Sequence, residues 1–194
     1  MAAPRRSVLA LAVLSMLTEA PMHAYRMQQL IKERHKDDVV NVSQRNSVYQ
    51  TVERLTREGL VEVESRQRGD NRPDRTTFRI TPDGRETLHT WLWDMLAVPA
   101  REYPQFPAAL SFLPNLSPAE AIKALTARVA GLEDQLAAVG ADLSQGGTFL
   151  PRIFLVESEY QQRALTAELD YVRALIDDLR AERVTWPTGT STPS

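Results

Sequence analysis

Ser43-Gln44-Arg45-Asn46-Ser47-Val48-Tyr49-Gln50-Thr51-Val52-Glu53-Arg54-Leu55-Thr56-Arg57-Glu58-Gly59-Leu60-Val61-Glu62-Val63-Glu64-Ser65 changes its period partway through. From Gln44 to Glu58 the apolar residues Val48, Val52 and Leu55 recur three and four apart, the spacing of one helix face. Ser43 stands where a hydroxyl can accept from the orphan amides of a first turn. Gly59 stands where the chain can take a left-handed conformation and end the helix. From Leu60 to Ser65 the period becomes two, with Val61 and Val63 on one side and Glu62 and Glu64 on the other, as in a half-buried strand. Opposite the apolar face the helix carries Asn46, Ser47, Gln50, Glu53, Arg54 and Arg57, with Tyr49 at the boundary.

The flanks extend the pattern. Upstream, a helix is predicted over Arg6–Thr18, broken by Glu19-Ala20-Pro21. A second is predicted over Met22–Arg34, with Ala24, Met27, Leu30 and Ile31 on one face. The polar, β-branched stretch Lys36–Val42 leads to the Ser43 cap. Downstream, Arg66–Arg75 reads as a polar loop with four Arg and two Asp, and Thr76–Ile80 alternates again as a strand. Thr81-Pro82 opens a fourth helix, Thr as cap and Pro in the first turn, with Leu88, Trp91, Leu92, Met95 and Leu96 as its predicted buried stripe.

Helix, polar connection, helix and a two-stranded hairpin with a basic tip make a winged helix-turn-helix. The major groove of B-DNA admits one α-helix, which a second helix can brace. Arg45, Asn46, Ser47, Tyr49, Gln50, Arg54 and Arg57 are the candidate contacts on the groove helix, because such side chains read base edges or hold phosphates. Arg66, Arg68, Arg72 and Arg75 are the candidates on the hairpin tip, where guanidinium groups suit the backbone or a narrow, negative minor groove. Double-stranded DNA with a palindromic site is the expected partner.

The second half reads differently. Pro99–Pro118 is rich in proline around an apolar piece, Phe106–Leu113. Ile122, Leu125, Val129, Leu132 and Leu136 then recur at alternating spacings of three and four, a coiled-coil seam. A turn is predicted at Asp142–Gly147, and a second long helix over Pro151–Arg183 with Leu165, Leu169, Val172, Ile176 and Leu179 on one side. The expectation is that this segment pairs two subunits through Ile122, Leu125, Val129, Leu132, Leu136, Leu165, Val172, Ile176 and Leu179.

Composition narrows the function classes. The 194 residues include no cysteine, which excludes a disulfide scaffold, a thiolate metal site and a cysteine nucleophile. Net charge is −2, but residues 1–100 hold 15 Lys and Arg against 13 Asp and Glu, while residues 101–194 hold 8 against 12, so an anionic partner should meet the first half. His23, His35 and His89 are scattered without metal spacing. There is no glycine-rich phosphate loop, nucleophile elbow or dinucleotide fingerprint, so neither an enzyme nor a cofactor is expected. Arg5-Arg6 followed by Val8–Leu17 has the look of a secretory leader, but Pro21 sits badly for cleavage and the run is too short to span a bilayer. The expected place is the cytoplasm, without membrane attachment.

Three motifs carry a resemblance. Pro21-Met22-His23-Ala24-Tyr25 comes first. Asn46-Ser47-Val48-Tyr49 follows, with Val52-Glu53-Arg54-Leu55 and Glu58-Gly59-Leu60-Val61. Arg72-Pro73-Asp74-Arg75-Thr76-Thr77-Phe78-Arg79-Ile80-Thr81-Pro82-Asp83-Gly84-Arg85 completes the set. In this order and spacing, over about residues 8–96, they resemble the PadR family of bacterial transcriptional regulators. Ala24 stands where that family usually has Gly or Pro, and Ala is the better helix former. The resemblance implies a winged-helix DNA-binding domain, a homodimer, and repression relieved by a small, often aromatic or drug-like molecule. Trp93, Phe106, Phe112 and Phe154 are the candidate effector contacts, core packing being the plainer role for the phenylalanines.

The expected fold is mainly α with a small β-hairpin wing. It divides into a DNA-binding domain (1–97), a linker with a short helix (98–116), a helical dimerisation domain (117–183) and a flexible tail (184–194). The expected function is sequence-specific transcriptional regulation as a repressor released by a hydrophobic or aromatic effector. The alternative is a winged-helix protein-interaction module that does not bind DNA. The polar face of the third helix favours DNA, since a protein-docking surface should carry apolar anchors there.

Overall fold

The computed structural model describes residues 6–34, 36, 47–69 and 72–186, leaving aside the side chains of 67–69 and 72–75. The chain forms two compact units, one ending at Glu102 and the other beginning at Tyr103.

The first unit opens with α1 (Val8–Glu19), capped by Ser7, whose hydroxyl accepts from the Ala10 amide at 3.1 Å. α1 is apolar nearly all round because it packs on both α3 (Ser47–Arg57) and α4 (Pro82–Ala97). Its Val13 and Leu14 have no solvent exposure. Each such side chain contributes about 1.5–3 kcal/mol by leaving water.

α2 (Ala24–Glu33) begins two residues later than predicted. Met22 forms an antiparallel bridge with Phe78, exchanging backbone hydrogen bonds of 3.0 Å in both directions. His23 is therefore the N-cap, its Nδ1 accepting from the Arg26 amide at 2.9 Å. Extended pairing consumes Met22 before a helix can include it. The predicted start of α3 at Gln44, the Ser43 cap, Arg45 and Asn46 lie outside the described residues.

α3 ends as the glycine predicts. Gly59 has φ +75°, and the Leu60 amide donates back to the Leu55 carbonyl at 2.9 Å, so the chain turns left-handed into the strand. Strand β1 (Val61–Gly69) pairs antiparallel with β2 (Arg72–Ile80), Val61 opposite Ile80 and Val63 opposite Phe78. This corrects the polar loop predicted over Arg66–Arg75. Backbone pairing does not need apolar side chains, so the ladder continues past the alternating region to Gly69 and Arg72, with register shifts at Val63/Ser65 and Gln67/Gly69.

The Thr81 hydroxyl binds two elements together. It accepts from the Gly84 amide at 3.0 Å as the cap of α4 and donates to the Gly59 carbonyl at 2.8 Å. Gly84 is required by space: a Cβ there would lie 2.1 Å from the Leu60 carbonyl oxygen. Of the stripe predicted for α4, Leu88 and Trp91 are buried, whereas Leu92, Met95 and Leu96 are exposed, Leu96 at 85%. The helix outlasts the layer beneath it, so within this unit its last turns have nothing to pack on.

In the second unit, α5 (Gln105–Ser111) and a 3-10 turn (Leu113–Asn115) precede α6 (Pro118–Gly146). Ser117 and Glu120 form a reciprocal capping box at the start of α6. A second 3-10 turn (Arg152–Phe154) leads into α7 (Val156–Arg180), which returns antiparallel along α6. Two boundaries are corrected here. The turn predicted at Asp142–Gly147 is helical to Gly146, because no proline interrupts the helix and Gly131 and Gly140 keep helical backbone, and the real turn follows. The helix predicted from Pro151 starts only at Val156.

The coiled-coil seam also changes meaning. Leu125 and Leu132 of α6 join Leu169, Val172, Ile176 and Leu179 of α7 in one core, with Ile122, Val129, Leu136 and Leu165 half-buried around it. The regular spacing thus closes a helix pair within one chain, and the residues expected to join two subunits are largely spent on that pairing. Arg128–Glu168 and Arg173–Glu133 ion pairs cross the seam. Part of the predicted flexible tail is fixed: Trp186 packs on this core, and its indole N–H donates to the Leu116 carbonyl at 2.6 Å. No described helix is long and apolar enough to cross a membrane.

Candidate nucleic-acid interface

α3 divides cleanly by side. Val48, Thr51, Val52 and Leu55 are buried against the core of the first unit. Tyr49, Gln50, Glu53 and Arg57 are exposed on the opposite side, Tyr49 at 45%. The fold produces this division because α1 and α2 cover one face of α3 and β1 follows directly from its end. The exposed side of a helix held on two sides is the shape that a major groove accepts.

Not every predicted contact residue is presented in the same way. Ser47 is half-buried with its Oγ enclosed. The Arg54 guanidinium is drawn along the helix to Glu58, whose two carboxylate oxygens accept from Nη1 at 3.1 Å, and its side chain is only 23% exposed. Arg54 is therefore a partly withdrawn cation, whereas Arg57 is open. Arg66 is exposed on β1. The side chains of Arg68, Arg72 and Arg75 lie outside what is described, although their backbones belong to the two strands. At the base of the hairpin Arg79 binds Glu62 at 2.8 Å and Glu64 at 3.0 Å, so both carboxylates of β1 share one cation from the neighbour strand.

Two anchoring features carry no periodic signal. The Arg34 guanidinium grips Glu19 through paired bonds of 2.5 and 2.7 Å, tying the end of α2 to the end of α1. The arginine beside it holds the Glu19 carboxyl below the ordinary carboxylate range. The His23 cap fixes the start of α2, and the Met22–Phe78 bridge just before it joins that start to the hairpin. The residues before α2 show that Pro21 stops α1, but not that Met22 pairs with a strand 56 positions later.

Within the second unit, the candidate effector residues Phe106 and Phe154 do not share one groove. Phe106 of α5 is half-buried, with the Arg128 guanidinium 3.7 Å from its ring centre. It lines an open groove of about 790 Å³ together with Pro107, Leu110, Glu168 and Tyr171. Phe154 stands before α7 and is 63% exposed. Fourteen residues separate it from Glu168, so at 1.5 Å per helical residue it is roughly 20 Å from the Phe106 groove and shares no pocket with it. Phe112 is 69% exposed and Trp93 on α4 is 68% exposed. Among the described residues no three His, Asp or Glu side chains come together as a metal site.

Comparison with known proteins places this geometry. No curated protein sequence matches the chain. Among solved structures, Bacillus subtilis PadR in complex with operator DNA is similar at a TM-score of 0.72 and 16% identity, covering 90% of this chain and 99% of that one. The same protein in complex with p-coumaric acid gives 0.69 at 17% identity, again over 90% and 99%. The Vibrio cholerae virulence activator AphA gives 0.70 at 16% identity, over 90% and 99%. At such identities the likeness extends the shared fold over both units. Residues 13–90, from the middle of α1 to the middle of α4, match the sequence model of the Transcriptional regulator PadR-like family. The winged helix built around α3 thus matches the PadR-like transcriptional-regulator family over residues 13–90.

Proposed function

We propose that the protein is a homodimeric repressor that binds a palindromic operator, with α3 of each copy in a major groove and the hairpin beside it. The observation that carries this reading is the exposed polar side of α3, where Tyr49, Gln50 and Arg57 stand together opposite a fully buried apolar side. The solved relative bound to operator DNA shares the fold and supports the same use of it. Arg66, Arg68, Arg72 and Arg75 supply phosphate contacts from the hairpin. The structural relative described as an activator bears on the sign of regulation alone.

Dimerisation is assigned to the outer flank of the α6–α7 pair. Ile122, Val129, Leu136 and Leu165 are only half-buried by their own chain, and Ile153, Tyr160 and Tyr171 of the same unit are exposed. Apolar surface of this extent usually meets a partner. A second copy would fix two recognition helices at the separation of half-sites one helical turn apart, about 34–36 Å.

The effector is assigned to the groove beside Phe106, where an aromatic ring can lie along an apolar wall. The relative solved with p-coumaric acid supports that class of ligand. A ligand releases DNA only if it binds the DNA-incompetent arrangement more tightly. Aromatic acids titrated against tryptophan emission should release DNA and change emission. Phe106→Ala should abolish the response. Release that survives Phe106→Ala would place the ligand elsewhere.

Selection of sites from a random duplex pool by the full-length protein tests the whole reading. An inverted repeat is the expected product. Gln50→Ala should alter its base preference at about 1–3 kcal/mol per half-site, whereas Arg72→Ala should weaken binding to all sequences alike and flatten the salt dependence. A protein that enriches no sequence, or that sediments as a monomer at micromolar concentration, would contradict it.

A further inference from the structure

We propose that Glu53 makes the protein select a C·G base pair at one position of each half-site. The inference rests on the reading of α3 as the groove helix. It goes beyond that reading by giving sequence preference to an acidic residue.

Glu53 lies on the exposed side of α3, one turn after Tyr49, three residues after Gln50 and one turn before Arg57. Four described glutamates lie between the recognition helix and the hairpin base. Glu58 is paired with Arg54, and Glu62 and Glu64 share Arg79. Glu53 alone of the four has no cation within ion-pair distance among the described residues, although Arg57 stands one turn below it. A carboxylate left unpaired at the centre of a surface that meets a polyanion is costly. It is repelled by the phosphates and must shed water. Hydrogen-bond donors in the groove would offset that cost.

The major-groove edges limit the choice. Guanine offers only acceptors, N7 and O6, and thymine offers the O4 acceptor and a methyl group, so both leave the carboxylate unsatisfied. Adenine offers the N6 amino group beside the N7 acceptor, which suits an amide better than a carboxylate. Cytosine offers its N4 amino group without an adjacent acceptor on the same base, and a glutamate accepts from it. Glu53 thus favours cytosine and rejects guanine and thymine, at a cost to binding wherever cytosine is missing.

The test compares sites selected from a random duplex pool by full-length wild type, Glu53→Ala, Glu53→Gln and Gln50→Ala. All three substitutions are on an exposed side, away from the core. Wild type should enrich one C·G pair per half-site. Glu53→Ala should make that one position indifferent, a loss of about tenfold discrimination, and should bind unrelated duplex more tightly because a negative charge is gone. Glu53→Gln should move the same position toward A·T. If Gln50→Ala changes the motif but Glu53→Ala leaves preference at every position unchanged, the assignment of Glu53 is overturned and α3 still reads DNA. If wild type enriches no motif, or neither alanine variant changes it, the groove role of α3 falls and this inference with it.

Discussion

Leu14, Met27, Val48, Leu55 and Val61, drawn from four different elements, are almost wholly enclosed in the first unit, whereas among the described residues of the second only Ala121 and Val172 reach the same burial. Four helices and a hairpin can surround a core. Two antiparallel helices can share only a seam, and their outer flanks stay wet. The exposed surfaces differ accordingly. Outside its core the first unit presents the polar side of α3, while the second presents Phe149, Ile153, Phe154, Tyr160 and Tyr171. The first unit encloses its core within its own chain and displays the polar side of α3, apart from the last turns of α4, where Trp93 and Leu96 stand exposed. The other has an apolar flank that a second copy would cover.

Truncating one leucine in each core should separate the two most sharply. Leu55→Ala leaves a cavity with no route to solvent and should cost roughly 3–5 kcal/mol. Leu132→Ala opens a gap at a seam that can collapse or hydrate, and should cost about 2 kcal/mol. Urea unfolding of the full chain, followed separately by signals from each unit, checks both values. Equal costs would mean that the helix pair is as closed as the winged helix.

Adding one methyl group should divide the units by sign. At Gly84 a Cβ would meet the Leu60 carbonyl oxygen at 2.1 Å and Ile80 Cγ1 at 2.8 Å, so Gly84→Ala should destabilise by about 3 kcal/mol. At Gly131 nothing lies within 4 Å, and Gly131→Ala inside α6 should stabilise by up to about 1 kcal/mol through helix propensity. Thermal unfolding reads both. A stabilising Gly84→Ala would show that α4 does not press on the Leu60 turn.

The smallest effects concern the caps and acid. Ser117→Ala removes the hydroxyl half of the α6 box and should cost about 1 kcal/mol. Hydrogen bonds from Ser117 hold the Glu120 carboxyl below its ordinary range, as Arg34 does for Glu19 and Arg152 for Glu159. A carboxylate whose folded pKa is depressed stabilises the fold above its unfolded pKa, and that gain disappears as pH falls through the folded value. Stability should therefore be level through neutrality and decline only below the ordinary carboxylate range. Glu120→Gln should remove part of the decline in α6, measured by helicity against pH. A decline that begins well above the carboxylate range would contradict this account.

Much of this was legible in the sequence because period and punctuation act locally. Val48, Val52 and Leu55 announce the buried side of α3, Gly59 its end, and Thr81-Pro82 the start of α4. The misreadings come from interactions between distant residues. Alternation ends at Ser65, yet the ladder runs on to Gly69 because backbone groups pair whatever their side chains. Met22 resembles a helix residue until Phe78 takes its backbone. The seam from Ile122 to Leu136 has the same spacing whether its partner is another chain or α7, and spacing alone does not distinguish them. Arg54 belongs by position to the groove side, and only coordinates show Glu58 drawing it back. Of the candidate DNA contacts, Arg45 and Asn46 fall outside the described residues.

The most direct test is amide hydrogen exchange of the full-length protein with and without its selected duplex. If the winged helix is the DNA-reading unit, exchange should slow across residues 47–57 and in the hairpin, with the middle of α7 unchanged. Protection confined to α6 and α7, with α3 exchanging as fast as in free protein, would contradict that account.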